Sequence, residues 1–225
     1  VVADTKKPWL VWEHPYYPTY YLLAADVGAK LIATGEVKSS PARGDGLVHD
    51  VVIGSSTASG AALTFPDSPI QELHDLVRLD WKSMDHWFEE DEEVYVHPRD
   101  PYKRVDILNS SRLVEVTVGG VKVAESENPT LLFETSLPVR YYLPKTDVRR
   151  DLLVPTDTRT ECPYKGVAQY WAVQAGGEVY PDLAWSYQFP TQESAKIAGL
   201  ISFYNEKVEV TVDGVPEAKP KSPFS

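Results

Sequence analysis

The feature that most constrains this chain is a long internal repeat. Val2–Glu13 runs in register with Val123–Glu134 at a constant offset of 121 residues, with Val2/Val123, Ala3/Ala124, Pro8/Pro129, Leu10/Leu131 and Glu13/Glu134 identical. The same offset pairs Tyr20-Tyr21-Leu22 with Tyr141-Tyr142-Leu143 and Asp26-Val27 with Asp147-Val148. Further on, Phe65-Pro66 matches Phe189-Pro190 and Leu76 matches Leu200 at offset 124, and Val94–Val96 matches Val208–Val210 at offset 114. The first copy therefore carries about ten extra residues around Asp80–Glu90, an offset of 124 falling to 114. Solenoid repeats recur every ~20 to 50 residues, so a period this long means duplicated domains. A length of 225 residues accommodates two such domains at roughly 100 to 200 residues each.

The two copies begin differently. In the second, Arg112–Val118, Gly119-Gly120 and Val121–Ala124 read as strand, tight turn and strand, the glycines supplying the positive φ of a hairpin. Val1 pairs with Lys122, so the first copy lacks that opening strand. The expectation is that the native product extends upstream by about one hairpin strand, or that another segment fills the gap; a targeting peptide in such an extension stays open.

Alternation of Val114, Val116 and Val118, and of Val208, Val210 and Val212, is the period-two signature of half-buried strands. β-Branched and aromatic residues recur in Leu131–Glu134, Ala168–Val173, Leu183–Phe189 and Leu200–Tyr204, punctuated by 18 prolines and 13 glycines. The pattern predicts a mostly β fold. One short helix is expected in the first domain only, capped by Asp80 and running Trp81–Glu90, with Trp81, Met84, Trp87 and Phe88 on its buried face. The boundary is placed in His97-Pro98-Arg99-Asp100-Pro101, giving domains 1–97 and 98–215 and a disordered tail at 216–225.

Charge narrows the partners. Lys+Arg total 22 and Asp+Glu 33, a net charge of −11 that repels phosphate backbones and anionic lipid. Neither nucleic acid nor membrane is an expected partner, and the oligomeric state is not encoded in any recognisable pattern. The acidity is concentrated before residue 101, at 8 − 17 = −9 against 14 − 16 = −2 afterwards. Much of it is the run Glu89–Glu93, read as a solvated helix end with a cation or partner site as the alternative. One cysteine excludes an intramolecular disulfide, no apolar run reaches membrane-helix length, and the chain is expected to be soluble and cytoplasmic.

The second copy carries a long motif string: Glu134 with Leu137-Pro138, Tyr141-Tyr142-Leu143-Pro144, Asp147-Val148, Thr158-Arg159-Thr160, Cys162-Pro163-Tyr164-Lys165-Gly166, Tyr170-Trp171, Ala184-Trp185-Ser186-Tyr187, Phe203-Tyr204 and Val212-Asp213-Gly214. It resembles the domain-of-unknown-function family 427 in its tandem two-domain form, strongly over 102–215 and more diffusely over 1–97, where Trp87–Glu92 and His97-Pro98-Arg99 also fit. The resemblance implies a β-tent, short curved antiparallel sheets shared with zinc-binding relatives such as peptide methionine sulfoxide reductases. It implies no established activity.

Structural zinc in such folds commonly takes four ligands from two Cys-x-x-Cys pairs, which Cys162 alone does not supply, so no metal and no cofactor is expected. Cys162 is a candidate nucleophile, with Arg159 and Lys165 three residues to either side to favour a thiolate; the alternative is a small thiol packed beside Pro163. Tyr164, Lys165 and Asp147 complete the catalytic candidates. Glu134, Arg140, Tyr141, Arg159, Trp171, Trp185 and Tyr187 join them as ligand-binding candidates, because charged groups beside aromatics suit a pocket for a planar organic molecule. The alternative is a salt bridge of Asp147 with Arg159 or Lys165 among core tryptophans. In the first copy, Glu13, Tyr20, Tyr21 and Asp26 are kept, the Cys-Pro-Tyr-Lys-Gly segment gives way to residues near Arg43-Gly44-Asp45-Gly46, and His14 with His49 is either an acid-base pair or surface histidine. His49 aligns roughly with Gln169.

Two functions follow. One is a metal-independent protein or enzyme that takes a small organic ligand in a polar and aromatic pocket of the second domain. The other is a non-catalytic binding or structural module using a cleft between the domains.

Overall fold

The structure is a computed structural model describing all 225 residues, Val1–Ser225. It divides between Asp100 and Pro101 into two compact units. The fold is mostly β, every strand ladder is antiparallel, and no sheet closes into a barrel.

In the first unit, β1 (Trp9–Val11), β2 (Thr19–Leu23), β3 (Lys30–Ser40), β4 (Gly44–Ile53), β5 (Ser56–Thr64) and β6 (Leu76–Leu79) form one sheet in the order β1-β2-β6-β5-β4-β3, and β7 (Phe88–Glu89) pairs with β8 (Glu92–Glu93). The second unit holds β9 (Val105–Asn109), β10 (Val114–Val118), β11 (Val121–Ser126), β12 (Thr130–Glu134), β13 (Arg140–Leu143), β14 (Leu153–Cys162), β15 (Gly166–Ala175), β16 (Glu178–Tyr187), β17 (Ile201–Phe203), β18 (Glu209–Val212) and β19 (Val215–Pro216). Its large sheet runs β14-β15-β16-β17-β13-β12-β9, and its small sheet β11-β10-β18-β19. Without β9, the large sheet repeats the first unit's sheet strand for strand.

Register repeats as well as order. Leu22 faces Val77 and Leu143 faces Ile201, preserving the offsets of 121 and 124 read from the sequence. The β3–β4 ladder shifts register between Ala33 and Val37, and the β14–β15 ladder between Pro155 and Arg159, 122 residues later. A second shift between His49 and Val51 recurs between Trp171 and Val173. The burial pattern shows what these irregularities do. In β4, Gly46 and Val48 are buried at period two and the next buried residue is Val51, so the extra residue flips the strand's parity.

That register corrects two sequence pairings. Thr64 lies opposite Leu47 as Ser186 lies opposite Gln169, so Phe65 corresponds to Tyr187 and not to Phe189. Phe65 and Tyr187 are both buried, whereas Phe189 is 92% exposed. Likewise His49, opposite Ala62, corresponds to Trp171, opposite Ala184.

The large sheet of the second unit is covered on both faces. On one, Val114, Val116, Val118, Val210 and Val212 of the small sheet pack against Tyr141, Leu143, Val173, Ile201 and Phe203. On the other, Ile107, Leu132, Tyr142, Tyr170, Trp185, Tyr187 and Ile197 form a second cluster. In the first unit, the bridge Ala3–Val27 reproduces Ala124–Val148, but Val94–Val96 is not a strand. Its counterpart segment pairs with Val114–Val118, which has no equivalent within residues 1–100.

The helix expected over Trp81–Glu90 is corrected in extent. Asp80 does cap a turn, accepting from the Ser83 amide at 3.1 Å, but the turn is a 3-10 element of Trp81–Ser83 and Met84 is already extended. The aromatic spacing is satisfied by stacking instead: Trp81 and Trp87 lie 4.7 Å apart at 10°, and the Trp87 indole donates to the Trp81 carbonyl at 3.1 Å. Residues 216–225, expected as a disordered tail, make specific contacts. Tyr141 donates to Glu217 at 2.7 Å, Ser222 donates to Glu206, and the Phe224 ring lies 6.0 Å from Tyr204.

At the second register shift the chain needs a positive φ, supplied by Gly60 (φ 60) in one copy and Asp182 (φ 49) in the other, 122 residues apart. Asp182 tolerates it because its carboxylate accepts from Thr156 at 2.6 Å and Thr158 at 2.7 Å. Asp182→Ala keeps the backbone strain and removes both bonds, and is expected to cost about 1–3 kcal/mol in denaturant unfolding. Asp182→Gly is expected to recover part of that loss by relieving the strain.

Candidate functional site

Directly opposed residues of neighbouring strands point to the same face of a sheet. The pairs Tyr142–Ser202, Trp185–Ser202, Tyr170–Trp185, Ala168–Tyr187, Thr160–Ala168 and Cys162–Gly166 therefore place Tyr142, Ser202, Trp185, Tyr170, Tyr187, Thr160 and Cys162 on one face. Arg140 and Glu134 share it, two residues from Tyr142 and Leu132 along their strands. Tyr141, Trp171 and Arg159 point the other way.

Lys165 reaches this face from the β14–β15 turn. The turn is held by Thr191 and Ser194, whose hydroxyls donate to the Tyr164 carbonyl at 2.6 and 2.8 Å. It closes at Gly166, whose φ is 88 and where a Cβ would stand 3.3 Å from the Phe189 carbonyl oxygen. The Lys165 ammonium donates to Glu134 at 2.5 Å, with both side chains about nine-tenths buried. Burial alone would lower the Lys165 pKa, but the neighbouring Cys162 and Glu134 outweigh it and hold the ammonium charged. Tyr187 sits beside the pair. Burial, reinforced by Tyr142, Cys162, Tyr170 and Glu134, pushes its phenol far up, so it stays protonated. Tyr142 is likewise raised by burial and accepts from the Trp185 indole at 3.1 Å.

Next to these lies a guanidinium. Arg140 donates to both oxygens of Glu206 at 2.6 Å, donates also to Asn205, and stacks 5.6 Å from Trp185 and 5.7 Å from Tyr204 and Phe224. Tyr170 joins Thr160 at 2.8 Å and Tyr204 at 3.3 Å. The Ser202 hydroxyl, fully buried in the middle of the face, has no hydrogen-bond partner. An open depression of about 440 Å³ lined by Arg104, Asp106, Leu108, Phe133, Glu134 and Thr135 meets the face at Glu134.

Of the residues singled out in the sequence, this face gathers Glu134, Arg140, Cys162, Lys165, Trp185 and Tyr187. The others lie apart. Asp147, a catalytic candidate in the sequence, accepts from Ser126 at 2.6 Å and from Thr146, and the alternative bridge to Arg159 or Lys165 does not form either. Asp26 accepts from Thr5 in the same way 121 residues earlier, which marks a shared structural contact. Arg159 is exposed and donates to the Thr156 and Thr158 carbonyls. Trp171 and Tyr141 belong to the packing between the two sheets of the second unit. Tyr164 contributes its carbonyl to the turn. Sequence reasoning missed Tyr142, Thr160, Tyr170, Ser202, Tyr204 and Glu206; the signal was parity counted from Arg140 and Trp185.

The first unit keeps half of this chemistry. Glu13 pairs with Arg43 at 2.9 Å and Arg78 at 3.5 Å, and accepts from Tyr21 at 2.5 Å. Arg43 stands where Lys165 does, each preceding the glycine that faces Ser40 or Cys162. Register puts Arg78 in place of Ser202, Leu63 of Trp185, Phe65 of Tyr187 and Thr19 of Arg140. His49 bonds Thr64 at 2.8 Å and burial lowers its pKa. His14 packs on Tyr17 at 5.2 Å while His49 bonds Thr64, so the pairing of His14 with His49 does not form. No group of three or more His, Cys, Asp or Glu side chains is arranged to hold a metal ion. The arrangement that remains is a protonated amine beside a thiol and a carboxylate, walled by neutral phenols, able to fix a polar group and neutralise developing negative charge.

The Glu206 carboxyl is held below the usual glutamate range: burial opposes this, and bonds from Arg140 and Ser222 outweigh it. Stability from a depressed carboxyl is present above its unfolded pKa, ~4.3, and is lost as pH falls through the folded value. Unfolding below about pH 4.5 should therefore be steeper in the native protein than in Glu206→Gln. At neutral pH that variant, which leaves Arg140 buried and unmatched, is expected to lose about 3–5 kcal/mol in denaturant unfolding.

No curated protein matches the chain. Residues 1–90 and 106–214 match the family described as domain of unknown function (DUF427), one match in each unit. The chain belongs to the DUF427 family, in a two-part tandem form.

Proposed function

We propose that the second unit binds a small organic molecule on the Lys165 face, using side chains alone and no resident metal. The observation that carries this reading is the buried Lys165–Glu134 pair beside Cys162. Burying two charges costs several kcal/mol unless their remaining valences are used. Here the neighbours Tyr142, Tyr187, Trp185 and Arg140 offer flat walls and donors, and the Ser202 hydroxyl is buried without a partner. Such a surface suits a planar polar ligand whose carbonyl or carboxyl group meets Lys165 and whose body lies along the rings. The first unit, with Arg78, Phe65 and Thr19 at the matching positions, supports no equivalent ligand in this reading.

A second reading, an enzyme with Cys162 as nucleophile, is favoured by placement: Cys162 shares its face with Lys165, whose pKa it helps to raise, whereas Arg159 lies on the opposite face.

Mass spectrometry of metabolites released from the purified protein tests binding. Native protein should release a stoichiometric small molecule that Lys165→Met loses, and a ligand retained equally by both proteins would overturn the reading. Elemental analysis of chelator-free protein should find no stoichiometric zinc. Alkylation separates the two readings: under pure binding, Cys162 reacts with iodoacetamide only on unfolding. Rapid labelling of the folded protein well below pH ~8.5, suppressed by the retained metabolite, would favour the enzyme.

A further inference from the structure

The C-terminal strap covers a group of side chains that shares Arg140 and Trp185 with the Lys165 face. Arg140 and Glu206 are 7% and 8% exposed, and Trp185 is 5% exposed. The Phe224 ring, 5.7 Å from the Arg140 guanidinium and 6.0 Å from the Tyr204 ring, is 42% exposed. From Asp213 onward the chain is almost entirely at the surface. What ties the strap down is the Glu217 amide on the Val210 carbonyl at 2.8 Å, the Tyr141 hydroxyl on Glu217, Lys219 on the Lys207 carbonyl at 3.2 Å, and Ser222 on Glu206. Beyond Lys219, Ser222 bonds Glu206 and Phe224 lies against Arg140 and Tyr204.

The chemistry under Phe224 is specific. Glu206 occupies the guanidinium edge of Arg140 with two bonds and matches its charge, so Arg140 itself has no unpaired charge for an anion, and the exposed Lys207 ammonium lies 5.2 Å from the Tyr204 ring. What remains is the flat face of the guanidinium, flanked by Trp185 and Tyr204 whose rings lie 4.5 Å apart. A guanidinium face between aromatic rings recognises another π surface, through cation-π attraction and stacking, with little demand for charge. The first unit has Thr19 and Leu63 at the positions of Arg140 and Trp185 and carries no such platform.

We propose that Arg140, Trp185 and Tyr204 form a stacking subsite for an uncharged flat aromatic group, and that Phe224 is its exchangeable internal occupant. A ligand's aromatic ring displaces Phe224 and frees the strap from Ser222 onward, while the Glu217 and Lys219 contacts keep the rest in place. The subsite shares Arg140 and Trp185 with the ligand reading for Lys165, and its test fails separately from that reading because it uses neither Lys165 nor Glu134.

The test measures binding of indole and quinoline, with cyclohexanol as a non-aromatic control, to the full-length chain by isothermal titration. Phe224→Ala is expected to bind the aromatics about fivefold more tightly than the parent, the scale of one ring contact. Ser222→Ala, which loosens the strap and keeps the ring, should gain less, and Phe224→Trp should gain nothing. Adding Tyr204→Leu to Phe224→Ala should abolish the gain, with circular dichroism and thermal unfolding confirming that each variant is folded. Equal aromatic affinity in parent and Phe224→Ala would overturn the proposal. So would an absence of saturable binding in both, or a matching gain for cyclohexanol, which would mean a merely greasy surface.

Discussion

One ion pair per unit joins parts of the sheet that strand order holds far apart. Glu134 ends β12 and Lys165 lies in the turn between β14 and β15, at opposite sides of the series β14-β15-β16-β17-β13-β12, yet their charged atoms are 2.5 Å apart. Glu13 and Arg43 do the same across β3-β4-β5-β6-β2-β1. A flat six-stranded sheet would span more than 20 Å at ~4.8 Å per strand, so the contact requires a strongly curled one. The register shifts in the β3–β4–β5 and β14–β15–β16 ladders supply the bend, and the ion pair ties down the result. Curling is also what gathers Cys162, Tyr187, Tyr142 and Trp185 from different strands onto one concave face.

Around that shared frame the two copies have traded volumes. Where the first unit has the long Arg78 beside the short Leu63, the second has the short Ser202 beside the large Trp185, and these positions are near neighbours across the ladder. Total bulk is conserved while chemistry is not, the kind of exchange a packed interior tolerates. In the first unit the cation filling that region belongs to the chain and bonds Glu13. In the second, the indole bonds Tyr142 instead and Glu134 keeps Lys165 as its cationic partner. At matching positions one copy thus holds its own arginine and the other holds rings, a thiol and an amine.

The sequence carried the frame better than the site. The offsets of 121 and 124 survive as actual strand register at Leu22–Val77 and Leu143–Ile201, because main-chain pairing depends on spacing and hydrophobic alternation. Which face a side chain takes depends on parity, and one extra residue at each register shift reverses it. The Tyr141-Tyr142 doublet illustrates the difficulty: one phenol must face the small sheet and the other the ring cluster, and local sequence is the same for both. Arg159 and Cys162 are three apart and so lie on opposite faces of β14, which sequence proximity disguised. The Trp81–Phe88 spacing fitted a helix, but two indoles stacked at 4.7 Å cover each other with the chain extended after a single turn, and Phe88, expected on the buried face, is 58% exposed. Helical periodicity in a short aromatic-rich segment is therefore a statement about burial rather than about backbone.

The acidic excess of the first half also has a partner in the second. Tyr20 and Tyr141 occupy equivalent positions, and each donates its hydroxyl to a glutamate from outside the repeated strands, Glu89 of the β7–β8 hairpin and Glu217 of the C-terminal strap. Burial and the facing carboxylate raise both phenols, which keeps them as donors at all ordinary pH. Glu89 is in turn bonded by Arg99, at the end of the first unit. The first residue of the acidic run is thus a cap on a buried tyrosine, whereas Glu90 makes the turn at a φ of 53 and Asp91 and Glu92 remain exposed. Two unrelated segments, an inserted hairpin and a proline-rich tail, solve one problem that the common fold leaves open: a tyrosine at the rim of the sheet whose polar end must be matched. Extra chain at such a place is constrained by the duplicated core, which sets where an acceptor has to stand while leaving the segment that delivers it free to diverge.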